Sequence, residues 1–195
     1  MLRVGIIGCG GMGRDHIRRL TEKIQGAEVV AVSDVFEESA KKAAEICGAK
    51  VYTDNRELIN AEDVDAVFIV SPGFAHVDSL LQAIEAGKRI FCEKPLCTTA
   101  EDCLKVVKAE EAAGKHLIQL GFMRRYDKGY QQIKEALATG EYGEPLILHC
   151  THRNPEVGTN YNTPMAVHDT AIHEIDVLHW LVDDEYEPAQ VVTGT

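Results

Sequence analysis

The chain has 195 residues, 45% of them hydrophobic and 26% charged, with a formal net charge of −11. That is ordinary composition for a folded globular protein, and its length suits one full domain plus part of another. The acidity argues against sequence-independent nucleic-acid binding, which needs Lys and Arg against phosphate. No stretch approaches the ~20 apolar residues of a membrane span.

The first apolar run, 2–7, leads directly into Gly8-Cys9-Gly10-Gly11-Met12-Gly13. A strand, a Gly-x-Gly-x-x-Gly turn and a helix in that order form a phosphate-binding unit. Gly8 permits the tight turn, Gly10 lets the backbone approach a pyrophosphate, and Gly13 lets the helix pack closely. The helix N-terminus adds free N–H groups and a positive dipole end. The next run, 28–33, ends at Asp34, about 20 residues past Gly13, where an acid meets the ribose hydroxyls of a dinucleotide. A carboxylate there favours NAD and repels the 2′-phosphate of NADP. Without a ligand, the same residues make an ordinary βαβ turn with a capping acid.

Further apolar runs at 66–71, 89–92 and 116–121, with a weaker one at 50–52, read as buried strands. Amphipathic stretches of helical length separate them. Three end alike, at Gly48, Gly87 and Gly114, each at the position that takes the left-handed conformation after a helix. Thr98-Thr-Ala-Glu101 reads as a capping box opening another helix. Alternation of this kind predicts an α/β fold, a doubly wound parallel (Rossmann) sheet with helices on both faces, over residues 1–121.

After Gly121 the rhythm changes. A helix is expected over 126–138, a strand at 145–152, a polar turn-rich segment from Arg153 to Pro164, a helix over 169–182 and a last strand at 189–193. Two helices and two strands cannot bury a two-sided core alone. Residues 122–195 are therefore expected to be the first part of a substrate and oligomerisation domain of α+β type. Ile172, Ile175, Leu178 and Leu181 stand at mixed helical spacings on the last helix, and some of them are expected to pack on the rest of that domain.

Six cysteines occur, none spaced C-x-x-C, so reduced thiols are expected rather than a zinc ribbon or a disulfide framework. No charged-then-apolar leader precedes the first strand, so a cytoplasmic location is expected.

Two further segments carry chemistry. At a helical pitch, Asp169, His173, Asp176 and Trp180 share one face, and an acid one turn before a histidine suits a positioned acid–base group. Read alone, they are equally a helix capped by Asp169 with His173 packed. His173-Glu174 begins a zinc-protease pattern, but Val177 stands where the second histidine belongs, so no metal is expected. Glu93-Lys94-Pro95 and Ser71-Pro72-Gly73 both follow strands, on the sheet edge where ligands of doubly wound folds bind.

Together these residues resemble the glucose–fructose oxidoreductase and inositol dehydrogenase (GFO/IDH/MocA) family of NAD(P)-dependent enzymes. Arg153-Asn154-Pro155, the Asn160-Tyr161 loop and the run from His173 to Trp180 look particularly like its bacterial inositol-oxidising members. The resemblance implies an NAD-dependent dehydrogenase that moves a hydride from a cyclitol or sugar carbon to NAD, here myo-inositol to the 2-keto product. Lys94, Asp169 and His173 would be catalytic. His173 would take the hydroxyl proton, Asp169 orient its ring, and Lys94 hold the reacting oxygen. Gly8, Gly10, Met12, Gly13, Asp34, Ser71, Glu93 and Lys94 would bind the cofactor, and Arg124, His152 and Asn154 the polyol. Family members continue for well over a hundred further residues and form homo-oligomers. A related sugar dehydrogenase and a non-catalytic NAD-binding sensor of this fold are the other readings.

Overall fold

The computed structural model describes residues 1–159, 161–187 and 189–192. It divides into two compact units, Met1–Gly121 and Phe122–Thr195.

The first unit is a six-stranded, all-parallel sheet in the order β3-β2-β1-β4-β5-β6. Its strands are β1 (Leu2–Ile7), β2 (Ala27–Ser33), β3 (Lys50–Tyr52), β4 (Ala66–Ile69), β5 (Arg89–Cys92) and β6 (Ile118–Leu120). Each falls within or overlaps an apolar run read from the sequence. The helices are α1 (Gly11–Glu22), α2 (Glu37–Cys47), α3 (Asn55–Ile59), α4 (His76–Glu85) and α5 (Ala100–Ala113). Strands buried on both faces need two cores. One gathers Ile7, Leu58, Ile59, Val67, Ile69, Leu80 and Ile90. The other gathers Val4, Ile6, Ile17, Leu20, Val29 and Val32. A parallel sheet covered this way directs the loops after β1, β2, β4 and β5 to one edge, where the order reverses between β1 and β4.

The helix ends follow local chemistry. Gly48, Gly87 and Gly114 take positive φ, as expected. The capping box before α5 sits one residue later than expected: Thr99 is the N-cap, and its Oγ1 accepts the Asp102 N–H over 3.2 Å. A second carboxylate three residues on lets the register shift by one.

The second unit corrects several expectations. Helix α6 spans Lys128–Ala138, opened by Asp127, whose carboxylate accepts from the N–H groups of Gly129 and Tyr130. The stretch 145–152 forms no strand. It has no regular structure and is exposed, with Leu146 at 93% and Ile147 at 89%. A strand needs a neighbour for its backbone groups, and among the described residues none is offered there. Residues 189–192 are likewise irregular, and Thr193 of the expected last strand lies outside the described residues, as does Asn160.

The helix expected over 169–182 begins earlier. Asn162 caps a short turn, α7 (Thr163–Met165), whose Met165 N–H it accepts over 3.1 Å. A π-helical turn, Ala166–Ala171, carries Asp169, and α8 (Ile172–Val182) follows. Asp169 is not an N-cap. It lies inside the continuous helical run that Asn162 opens. A π turn holds more residues per turn than an α turn. His173, Asp176 and Trp180 lie within α8, and the π turn that carries Asp169 leads directly into it.

Candidate active site

In the first unit the glycine turn is tightly determined. Gly8 has φ +96°, and a Cβ on it would lie 2.5 Å from the Ser71 backbone nitrogen. A Cβ on Gly13 would lie 2.0 Å from the Gly8 carbonyl oxygen. Neither position admits a side chain. At Gly10 an added Cβ meets no atom of the described residues within 4 Å, so packing among them does not explain this glycine. Gly10 is the N-cap of α1 and has no side chain to cover the helix's first N–H groups. Met12, in the first turn, is 54% exposed. A small concave backbone at a helix N-terminus fits a pyrophosphate.

The turn is anchored to β2 rather than free. The Gly8 N–H donates to the Ser33 carbonyl over 2.8 Å. The Cys9 N–H donates to Asp34 Oδ2 over 2.8 Å, and Asp34 Oδ1 accepts the Phe36 N–H over 2.9 Å. Arg14 Nη1 donates to the Cys9 carbonyl over 2.7 Å. Asp34 thus serves the loop as well as standing where a ribose is expected. Its two oxygens keep further lone pairs for hydroxyl donors. Burial pushes the Cys9 thiol up to about 12, with the Asp34 charge adding to it, so the loop gains no thiolate.

Along the same edge, Glu93 and Lys94 follow β5. His16 Nε2, on α1, lies 2.8 Å from Glu93 Oε1, and its ring packs edge-on against Phe68 and Phe91. Glu93 Oε2 accepts the Lys94 backbone N–H over 3.3 Å. The Lys94–Pro95 peptide is cis. Ser71 is reached by His76 Nε2, 2.7 Å from its carbonyl oxygen, while its own buried Oγ has no hydrogen-bond partner among the described residues.

In the second unit, Arg124 and His152 come together on a residue the sequence reading did not select. Glu174 accepts from Arg124 Nη1 through Oε1 and lies 3.2 Å from His152 Nδ1 through Oε2. Burial pushes the Glu174 carboxyl up, but hydrogen bonds and charge from Arg124 and His152 outweigh it and hold the carboxyl below its usual range. The His152 and His173 rings stand 6.3 Å apart, and His173 is buried. Asn154 Nδ2 donates to Thr170 Oγ1 over 3.3 Å, and the Tyr161 hydroxyl is 2.6 Å from the same oxygen. Asp176 is buried and takes Arg125 in a two-pronged pair, so it is committed to structure.

Three residues escaped sequence reasoning: His16, His76 and Glu174. Glu174 was weighed only as half of a zinc pattern. His76 stands three residues past Gly73, and a histidine that opens a helix behind a ligand-edge turn is the available signal.

The oxidoreductase family with an NAD-binding Rossmann fold, GFO/IDH/MocA, matches residues 2–122, and the C-terminal domain of that family matches residues 130–195. The chain belongs to the GFO/IDH/MocA family. It is 55% identical over 192 residues, 97% of its length, to an inositol 2-dehydrogenase/D-chiro-inositol 3-dehydrogenase of Halalkalibacterium halodurans. It is 56% identical, over 98% of its length, to the protein of the same name from Shouchella clausii. The chain spans 55% and 56% of those two relatives' lengths. Among solved structures it is similar to myo-inositol dehydrogenase from Lactobacillus casei in complex with NAD(H) and myo-inositol. The TM-score is 0.92 at 50% identity, covering 95% of this chain and 56% of that one. The fold and family expected from the glycine turn, Glu93-Lys94-Pro95 and the His173 helix are borne out. No helix among the described residues is long and apolar enough to cross a membrane.

Proposed function

We propose that this protein is an NAD-dependent inositol dehydrogenase that oxidises a ring hydroxyl of myo-inositol to the 2-keto product. The observation that carries the reading is the glycine turn: Gly8 and Gly13 close it by contact, Gly10 leaves it open, and Asp34 stands beside it with a carboxylate. Identity above 50% with inositol 2-dehydrogenases supports the substrate class. NAD, bound there, supplies the hydride acceptor for the carbinol carbon.

The rest falls to this chain's side chains. His173 accepts the hydroxyl proton as the C–H bond breaks, and Asp169 orients its ring. Lys94 holds the reacting oxygen and matches the charge that develops on it. Arg124, His152 and Asn154 face the polyol. The Arg124 charge is balanced by Glu174, which suits an uncharged substrate. Six free cysteines support a reducing compartment such as the cytoplasm. Exposed Leu146 and Ile147 support self-association through the second unit.

The test is reduction of NAD by myo-inositol, read as NADH absorbance. Steady turnover is expected. Tight NADH binding without turnover of myo-inositol or any related cyclitol or sugar would favour the sensor reading instead.

A further inference from the structure

The loops after β4 and β5 are joined by one side chain that the proposed mechanism does not use. His76 opens α4 and is fully buried. Its Nε2 lies 2.7 Å from the Ser71 carbonyl oxygen, at the start of its own loop. Its Nδ1 lies 2.9 Å from the Pro95 carbonyl oxygen and 3.3 Å from that of Leu96, in the other loop. Carbonyl oxygens only accept and a neutral imidazole carries one N–H, so the tether requires the Nδ1–H tautomer, in which Nδ1 donates towards Pro95 and Leu96 with Cys92 Sγ 3.4 Å from the same nitrogen. The two loops also pack directly: a Cβ on Gly73 would stand 3.0 Å from Pro95 Cγ. On the other side of Lys94, His16 holds Glu93, whose second oxygen takes the Lys94 N–H. Lys94 thus sits between two residues, each gripped by a histidine from a different helix.

We propose that His76 is a positioning residue for Lys94, acting through its Nδ1 contact with the Pro95 carbonyl. The inference rests on the catalytic reading of Lys94 given above. A buried polar ring in a sheet core is expensive unless its nitrogens are satisfied. A purely apolar side chain would fill the same volume without touching the loop that carries Lys94. The ring contributes direction instead. It fixes the carbonyl one residue past Lys94 relative to a rigid helix start, and so limits the rotation of the lysine's own backbone.

Two substitutions separate the ring's two contacts. The amide nitrogen of Asn falls near the place of Nδ1, and that of Gln near the place of Nε2. His76→Asn therefore retains the Pro95 tether and His76→Gln retains only the Ser71 one. In the enzyme turning over myo-inositol, His76→Gln is expected to lower kcat by about 10²-fold, the cost of a misplacement near 1 Å. KM for NAD should stay nearly unchanged, and His76→Asn should restore most of the loss. A second reading needs no turnover. In 15N-labelled protein, the Lys94 amide resonance should move in His76→Gln and keep its place in His76→Asn.

Wild-type kcat in His76→Gln, or an unmoved Lys94 amide, would overturn the proposal. So would equal loss in both variants together with NADH binding. Failure of His76→Asn to fold would do the same, since it would make the ring a structural pillar. Absence of turnover in the unsubstituted protein would instead count against the dehydrogenase reading, and the amide measurement would still decide the tether.

Discussion

The backbone N–H of Cys9 donates to the carboxylate of Asp34 over 2.8 Å, so the acid at the end of β2 holds the turn that follows β1. Cofactor choice and loop geometry are thereby joined in one side chain. In the unsubstituted protein NADH should bind much more tightly than NADPH. Asp34→Ser should relax that ratio and also lower the melting temperature, because the Cys9 N–H loses an acceptor worth about 1 kcal/mol. Asp34→Asn keeps an acceptor oxygen, and should relax the ratio with a smaller loss of stability. Fluorescence titration with both cofactors and thermal melts measure the two effects. Equal affinity for NADH and NADPH before substitution would refute the assignment.

The thiols should divide by burial. The Cys9 thiol is pushed up to about 12 by burial and then by the Asp34 charge, so at pH 8 it is almost wholly protonated and a poor nucleophile. Cys150 is exposed. Alkylation of the folded protein at pH 8, mapped by mass spectrometry, should label Cys150 first and leave Cys9 unmodified until unfolding. Equal labelling rates would show that the phosphate turn opens freely.

Removing the proposed base should separate chemistry from binding. In the active enzyme, His173→Ala should lower turnover by about 10²–10⁴-fold, the usual worth of general base catalysis, while NADH affinity stays close to its original value. Lys94→Ala should be comparably damaging. The double substitution should cost less than the product of the singles, because both groups serve one transition state. Near-normal turnover with only a lowered melting temperature would make His173 a packed core residue.

Acid should weaken the second unit through Glu174. Its carboxyl is held below the usual range in the folded state. A depressed folded value contributes stability that is fully present above the ordinary glutamate range, near pH 4.3, and is lost as pH falls through the folded value. The difference in urea midpoint between the unsubstituted protein and Glu174→Gln should therefore be constant near neutrality and shrink below about pH 4. A difference that grows on acidification would refute the Arg124–Glu174–His152 cluster.

Exposed apolar side chains at 146–148 should make this chain prone to association. Leu146 and Ile147 are nearly fully exposed side by side, and Ile175 on α8 is also exposed. Binding of an apolar-surface dye is expected, together with concentration-dependent association in light scattering. Ile147→Lys should reduce both. A monodisperse monomer without dye binding would show that these residues are covered by the chain itself.

Much of the first unit was legible because its signals are local. Two-sided burial makes parallel strands read as short apolar runs, and positive φ demands glycine at Gly8, Gly48, Gly87 and Gly114. The second unit was harder. The run 145–152 looks like a strand by composition, yet strand formation depends on a partner, which composition does not encode. The segment that carries Asp169 winds as a π turn before α8, which no local pattern in the sequence marks. Glu174 was overlooked because its value lies in meeting Arg124, fifty positions away, and His152.

The sequence by itself determined the βα rhythm, the glycine turn, the acid behind it and the residue types that dehydrogenase chemistry needs. These rest on backbone sterics and on the period of burial, which are properties of neighbouring residues. Only the tertiary structure decided that Asp34 ties down Cys9, that His16 and His76 grip the residues on either side of Lys94, and that Glu174 balances Arg124. Hydrogen bonds and ion pairs between residues far apart in the chain depend on where strands and helices carry them, and no local pattern specifies that.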